Sequence, residues 1–296
     1  MITYVQAIVI GVLQGVTELF PVSSLGHSVL IPAWLGWHGV VSDQSQSESP
    51  YLAFVVMLHV ATALALLVYF RSDWARIIKA FFHTLRSRKL ETPDERMAWL
   101  LIVATIPAGI TGVLLEHSLR TLFAKPLAAA IFLTINGLML LFGDWVRRRR
   151  AVAALIESHP QAPSRTEVGR RLDTLDFREA VAVGVAQIGA LFAGISRSGI
   201  TMVAGLTRGL DHEDAARFSF LLATPIILAA GLYKLPDFIG SNGDGVRGQA
   251  LVGSLFAAGA AFISVRFLVR FFRTRNLLPF AIYCLIVGGI SIVHFA

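Results

Sequence analysis

Residues Gln14 to His27 read QGVTELFPVSSLGH. Glu18, Ser23, Ser24 and His27 fall close together there, and Pro21 stands among them. Both flanks are apolar, Ile8 to Leu13 before and Val29 to Leu35 after. An ionisable side chain at membrane depth is costly and is seldom kept without a role. Pro21 lacks a backbone donor and crowds the preceding turn, so a helix should break near it. The stretch predicts two helix ends meeting inside a membrane.

The composition agrees with that setting. Of 296 residues, 55% are hydrophobic and only 15% charged, with a mean hydropathy of +0.67. Those values fit a polytopic membrane protein and exclude an ordinary soluble domain. The single cysteine, Cys284, allows no intrachain disulfide and no thiolate metal motif; in its apolar run it reads as a packing residue. The net charge of +7 comes from basic residues gathered in a few loops. They read as topology signals and give no reason to expect nucleic acid. The N-terminus, MITYVQAIVIG, lacks a basic leader region and does not read as a removable signal peptide.

Six apolar stretches are long enough to span: 51–70, 99–115, 126–145, 218–235, 251–272 and 278–295. Between them, 71–96 reads as a basic loop, a short loop carries Glu116, His117, Arg120 and Lys125, and 151–176 reads as a polar linker. Loops 71–96, 147–176 and 273–276 hold most of the Lys and Arg, so they are expected inside. Loops 36–50 and 236–248 hold almost none and are expected outside. With the basic Arg208–Arg217 loop also inside, residues 177–207 must enter and leave on one face. By the same logic, residues 1–35 enter and leave on the other.

Sliding the chain by 173 residues, Gln14 onto Gln187, lays GVLQGVTELFPVSSLGH over GVAQIGALFAGISRSGI without a gap. Gly11, Val12, Gln14, Ser23 and Gly26 meet Gly184, Val185, Gln187, Ser196 and Gly199. Two apolar Gly/Ser-rich segments can match by chance, but the topology puts the copies in opposite orientation. Inverted repeats with broken helices meeting near the midplane are a known membrane architecture, and irregular backbone survives there when buried or lining a wet cavity. The expected fold is therefore an all-α polytopic protein, an inverted-topology repeat with two re-entrant helical hairpins plus about six full spans. Residues 1–150 form the first repeat (hairpin 1–36 plus three spans). Residues 151–176 form a cytoplasmic linker, and 177–296 the second repeat (hairpin 177–209 plus three spans).

Two helix N-termini meeting head to head favour an anion. Ser23 or Ser24, and Ser196 or Ser198, are natural N-caps. Arg197 adds a permanent charge with a planar fork suited to phosphate oxygens, and Gly194 and Gly199 allow close backbone approach. A snorkelling arginine is the plainer reading of Arg197, but it needs none of these hydroxyls and glycines. His27 suits a general base or a nucleophile, and Ser24 a nucleophile or phosphate ligand. Glu18 suits a divalent cation bridging phosphates, or a partner that fixes the His27 tautomer. Gln14, one turn earlier on the same face, offers an amide oxygen to such a cation, although helix–helix hydrogen bonding explains Gln14 and Gln187 equally well. His59 and Asn136 read as packing residues within spans.

QGVTELFPVSSLGH and GISRSGIT resemble the two signature motifs of the undecaprenyl-diphosphate phosphatases, the bacitracin-resistance family, and the likeness extends to LPFAIYCLIVGG near the end. It implies an integral hydrolase that takes one phosphate from undecaprenyl diphosphate, using a divalent cation, Mg²⁺ or Ca²⁺. It also implies a multi-pass protein of the inner (cytoplasmic) membrane whose site faces the extracytoplasmic side; a homodimer is compatible with it. Carried over by position, the catalytic residues are Glu18, Ser24, His27 and Arg197. Ser23, Ser196, Arg197, Ser198 and Thr201 are expected on the phosphates, and Gln14 with Glu18 on the cation. Three departures stand out: Ala193 where the family usually has Pro, Leu25 where a small hydroxyl residue is common, and Gln14 where some members carry Glu. The rival reading is a transporter or flippase of a polyprenyl phosphate or another anion, since carriers share this architecture.

Overall fold

A computed structural model describes residues 2–37, 50–123, 125–157, 170–240 and 243–296. The chain is helical, and among the described residues the extended structure is one isolated bridge between Arg170 and Leu210. In order, the helices are α1 (Tyr4–Thr17), α2 (Ser24–Trp34), α3 (Pro50–Tyr69), α4 (Arg71–Ser87), α5 (Pro93–Phe123), α6 (Pro126–Glu157), α7 (Phe177–Gln187), α8 (Arg197–Thr207), α9 (His212–Ile239), α10 (Arg247–Phe271) and α11 (Leu278–Phe295). Short 3₁₀ turns cover Leu172–Thr174 and Ile188–Leu191. Among the described residues six helices, α3, α5, α6, α9, α10 and α11, are each long and apolar enough to cross a membrane.

Local signals set several of these boundaries. Capping boxes open α1 (Thr3 with Gln6) and α7 (Asp176 with Glu179), so the backbone donors at both starts are met locally. Asp211 caps α9. Pro107, Pro225 and Pro236 stay inside long helices, whereas the chain breaks around Pro21. Surrounding spans hold the long helices together across each lost bond.

The structure corrects three expected loops. Residues 71–87 form α4, because Trp74, Ile77 and Phe81 recur at helical spacing and pack against the core. Helix α5 runs on to Phe123, through the short loop expected at Glu116, whose side chains lie outside the described residues. Helix α6 continues through Arg147–Arg150 to Glu157, into the stretch expected as linker. Most of the expected loop 36–50 and residues 158–169 also lie outside the described residues.

Helix α1 packs along α10, and α7 packs along α5. Glycine makes both contacts possible: a Cβ on Gly11 would strike the Gly253 carbonyl, and one on Gly184 would strike the Ala104 carbonyl. Helix α6 packs on α11, and α9 contacts α3. The broken pairs α1–α2 and α7–α8 sit inside this cage. Ion pairs tie one end together: Arg217 of α9 to Asp73 of α4 at 2.6 Å, and, from residues flanking helices, Arg273 to Glu213 at 3.1 Å and Arg170 to Glu179 at 2.6 Å.

Candidate active site

The two breaks are built from small residues with unusual backbone. Glu18 is the C-cap of α1 and Ser23 the N-cap of α2. Ser23 has φ +70°, rare for a residue with a side chain. Its hydroxyl compensates by accepting from Gly26 N (3.2 Å) and, across the chain, from Gly194 N (3.1 Å). Gly194 itself has φ +111°, and any Cβ there would run into Ala129 and Phe132, so only glycine fits. The turn that contains it is closed by Ile195 N donating to Phe192 O at 2.9 Å, with Ala193 standing where proline was expected. Ser196 caps α8 and accepts from Gly199 N at 3.1 Å.

Asn136 on α6 locks the breaks together. Its amide donates to Pro21 O at 2.9 Å and accepts from Ser196 N at 2.9 Å. Ser198 donates to Phe20 O at 3.2 Å. Carbonyls freed by the break thus find side-chain donors from elsewhere, as non-helical backbone at membrane depth requires. The starts of α2 and α8 are brought to one place, and with them two sets of free N–H groups.

A single carboxylate organises the polar contacts. Glu18 is 7% exposed. Its Oε2 accepts from Ser24 Oγ at 2.5 Å and from Gln14 Nε2 at 3.0 Å, and His59 Nε2 lies 3.3 Å away. Its Oε1 accepts from Arg197 Nη2 at 3.1 Å. The other arm of Arg197, Nη1, donates to Ser219 O at 3.2 Å. A hydroxyl beside a carboxylate, with a guanidinium close by, can supply an activated nucleophile and a phosphate clamp.

These groups face a cavity of about 420 Å³, lined at its polar end by Glu18, Ser23, Ser24, His59, Ser196 and Arg197. Its remaining walls are mostly apolar, including Val55 and Val56 of α3, Ala108 of α5 and Ile226 and Ile227 of α9. A charged head at one end and an apolar chain along the walls would match that division.

The structure thus brings Glu18, Ser23, Ser24, Ser196 and Arg197 to one cavity. Gln14 sits behind Glu18 as its donor. His27 lies outside the lining: its Nδ1 is 2.7 Å from Ser23 O and its Nε2 2.8 Å from Tyr283 Oη. Ser198 and Thr201 are fully buried and also outside the lining; Ser198 contacts Ser196 Oγ at 3.0 Å, and Thr201 contacts Ser219 Oγ at 2.7 Å. Sequence reasoning set His59 aside as a packing residue, yet it faces the site. A lone imidazole in a twenty-residue apolar helix was the available signal. Asn136 is indeed a packing residue, and what it packs is the site itself. Tyr283 and Ser219 carried no signal of their own. Among the described residues no group of three His, Cys, Asp or Glu side chains converges.

Comparison with known proteins gives a family match and close relatives. The model of the family described as "Bacitracin resistance protein BacA" matches residues 7–290. The chain is 56% identical to "Undecaprenyl-diphosphatase 2" of Frankia alni, over 100% of this chain and 98% of that protein. It is 55% identical to "Undecaprenyl-diphosphatase" of Mycolicibacterium paratuberculosis, with the same coverage. With "Undecaprenyl-diphosphatase 2" of Chromobacterium violaceum the identity is 44%, covering 98% of each chain.

Proposed function

The chain belongs to the bacitracin resistance protein BacA family, and from that membership and its site we infer that it hydrolyses undecaprenyl diphosphate. The products are undecaprenyl phosphate and inorganic phosphate. The protein is a membrane hydrolase that regenerates the lipid carrier of peptidoglycan synthesis and confers bacitracin resistance.

One observation carries the mechanism: Ser24 Oγ donates to Glu18 Oε2 at 2.5 Å, with Arg197 on the other carboxylate oxygen. Ser24 is the nucleophile. Its oxygen attacks the terminal phosphorus while its proton passes to Glu18. The bond from phosphorus to the bridging oxygen breaks, and undecaprenyl phosphate leaves with that oxygen. Water then attacks the phosphoseryl group; phosphate departs and Ser24 regains its proton. Arg197 turns its fork to the phosphate oxygens, and the starts of α2 and α8 direct N–H groups at the same charge. Ser23 and Ser196 line the phosphate pocket. His27 donates from Nδ1 to Ser23 O and holds the first turn of α2, so it acts as a positioning residue. Ser198 and Thr201 brace α8 from behind.

A divalent cation, Mg²⁺ or Ca²⁺, fits these residues as one that arrives with the diphosphate. Among the described residues Glu18 is the one carboxylate in the cavity lining, and the amide of Gln14 lies beside it. Such ions take few protein ligands when phosphates supply the rest. When bound, the cation neutralises charge on the phosphates.

We also propose that α1–α2 and α7–α8 are re-entrant hairpins of an inverted repeat, with residues 1–150 and 177–296 as its halves, joined on the cytoplasmic side through the stretch 151–176, into which α6 runs as far as Glu157. The exchange of packing supports this: α1 lies on α10 and α7 on α5, through Gly11 and Gly184, which the 173-residue shift superimposes. The site faces the extracytoplasmic side of the inner membrane. In support, the cavity reaches Tyr51 and Leu52 at the start of α3 and Lys234 near the end of α9, beside the loops poor in Lys and Arg.

The test is phosphate release from undecaprenyl diphosphate by purified protein in detergent, where no second compartment exists. Wild type should turn over, and Ser24→Ala, which removes the nucleophile, should lose activity by about 10⁴–10⁶-fold. A protein that moves the lipid between vesicle leaflets but releases no phosphate in detergent would be a transporter.

A further inference from the structure

Gln187 ends α7 and lines the cavity, yet neither its amide nitrogen nor its amide oxygen has a hydrogen-bond partner. The residue is 2% exposed. An amide carries two donors and an acceptor oxygen, and leaving all of them unmet in a buried place is costly. The backbone nearby gives no reason to keep the group. An apolar residue would close α7 against its neighbours equally well.

The 173-residue shift identifies what is missing. It places Gln187 over Gln14. Gln14 Nε2 donates to Glu18, four residues on, at 3.0 Å. The same step from Gln187 reaches Leu191, which has no acceptor on its side chain. One helix end holds a donor together with its anion; the other keeps the donor alone. Around the cavity, Gln187 keeps company with Ser196 and Arg197, both suited to anions, and among the described residues the one carboxylate of the lining already serves Gln14.

We propose that Gln187 is a substrate-positioning residue whose Nε2 donates to a nonbridging oxygen of the bound diphosphate. The phosphate oxygen occupies, relative to Gln187, the place that the Glu18 carboxylate occupies relative to Gln14. A neutral amide suits such a contact, because it orients the head group without adding a charge that must be desolvated when the cavity is empty. This role rests on the hydrolase reading above. Gln187 grips the diphosphate before and during reaction alike, so its loss appears in KM more than in kcat.

The experiment uses the full-length protein in detergent, with Gln187→Leu and the unbranched Gln187→Met. KM and kcat for undecaprenyl diphosphate are measured, along with the thermal midpoint without substrate. The role predicts a KM raised about ten-fold or more, the size of a lost hydrogen bond to a charged group, with kcat changed by less than about three-fold. The thermal midpoint should hold or rise in at least one variant, because an apolar side chain removes unmet polar atoms. A purely structural glutamine predicts a lower midpoint in both variants with KM unmoved, and that result overturns the role. Wild-type turnover is the control: its absence sinks the hydrolase reading and this inference together, whereas normal wild-type turnover beside an unchanged KM in both variants removes Gln187 alone.

Discussion

At the scale of single residues, the Glu18–Arg197 pair sets the terms. Their side chains are 6% and 12% exposed, so removing either partner leaves a charge in a poorly solvated place, which costs about 3–5 kcal/mol in comparable pairs. Glu18→Gln and Arg197→Met should therefore each lower the thermal midpoint in detergent. The double variant should recover part of the loss, though neither it nor the singles should release phosphate. Additive losses in the double variant would show that the two charges do not depend on each other. His27 offers a finer distinction. Asn at this position can still donate to Ser23 O, as Nδ1 does, but it cannot act as a base or nucleophile. His27→Asn should keep measurable phosphate release while His27→Ala falls much further; equal and complete loss in both would return His27 to the chemistry. At this scale the sequence was only partly legible. Glu18, Ser24 and Arg197 announce themselves as polar groups in apolar surroundings. His59 looked like a packing histidine because its partner, Glu18, lies on another helix and no spacing rule links them.

At the scale of elements, close backbone contact decides tolerance. A methyl on Gly11 or Gly184 would run into a carbonyl of the facing helix, whereas one on Gly109 would meet nothing within 4 Å. Gly11→Ala and Gly184→Ala should cost about 1–3 kcal/mol. Gly109→Ala should be neutral or stabilise by about 0.5–1 kcal/mol, since glycine weakens a helix interior. Thermal unfolding of the three variants checks the order. Asn136→Leu removes the link between the two breaks, leaves the Ser196 N–H unpaired and leaves the Pro21 carbonyl only the weak Cys284 thiol donor at 3.9 Å, at about 1–3 kcal/mol for the orphaned donor; activity and thermal midpoint should fall together. Hydropathy located the six spans, but α5 and α6 run well past the expected ends, to Phe123 and Glu157; the break around Pro21 was legible because proline acts locally. Helix α4 was missed because its charged residues masked the Trp74, Ile77, Phe81 periodicity. Prolines such as Pro225 break a helix or are absorbed by it according to the surrounding packing, which a single chain does not reveal.

At the scale of the whole molecule, orientation and cation dependence can both be tested. Cys284 is the only cysteine and is buried, so in a Cys284→Ala background a cysteine at position 45 should react with an impermeant thiol reagent from outside. One at position 173 should react only after the membrane is opened, and the reverse pattern would invert the assignment. Chelation should stop phosphate release yet leave the thermal midpoint unmoved, because the protein alone offers the ion too few ligands; a large drop would indicate a preformed metal site. The packing of α1 against α10 has a consequence for how the chain is made. Helix α1 leaves the ribosome well before its facing surface on α10, residues 247–271. At about 5–20 residues per second, the nascent N-terminal segment waits tens of seconds for its mate. Its glycines, Glu18 and the broken turn must be sheltered meanwhile by the insertion machinery or held near the bilayer surface. Firm seating of α1, with Glu18 at its end, therefore waits for α10, and a chain truncated before α10 should be recognised and degraded rather than accumulate as a half-built enzyme.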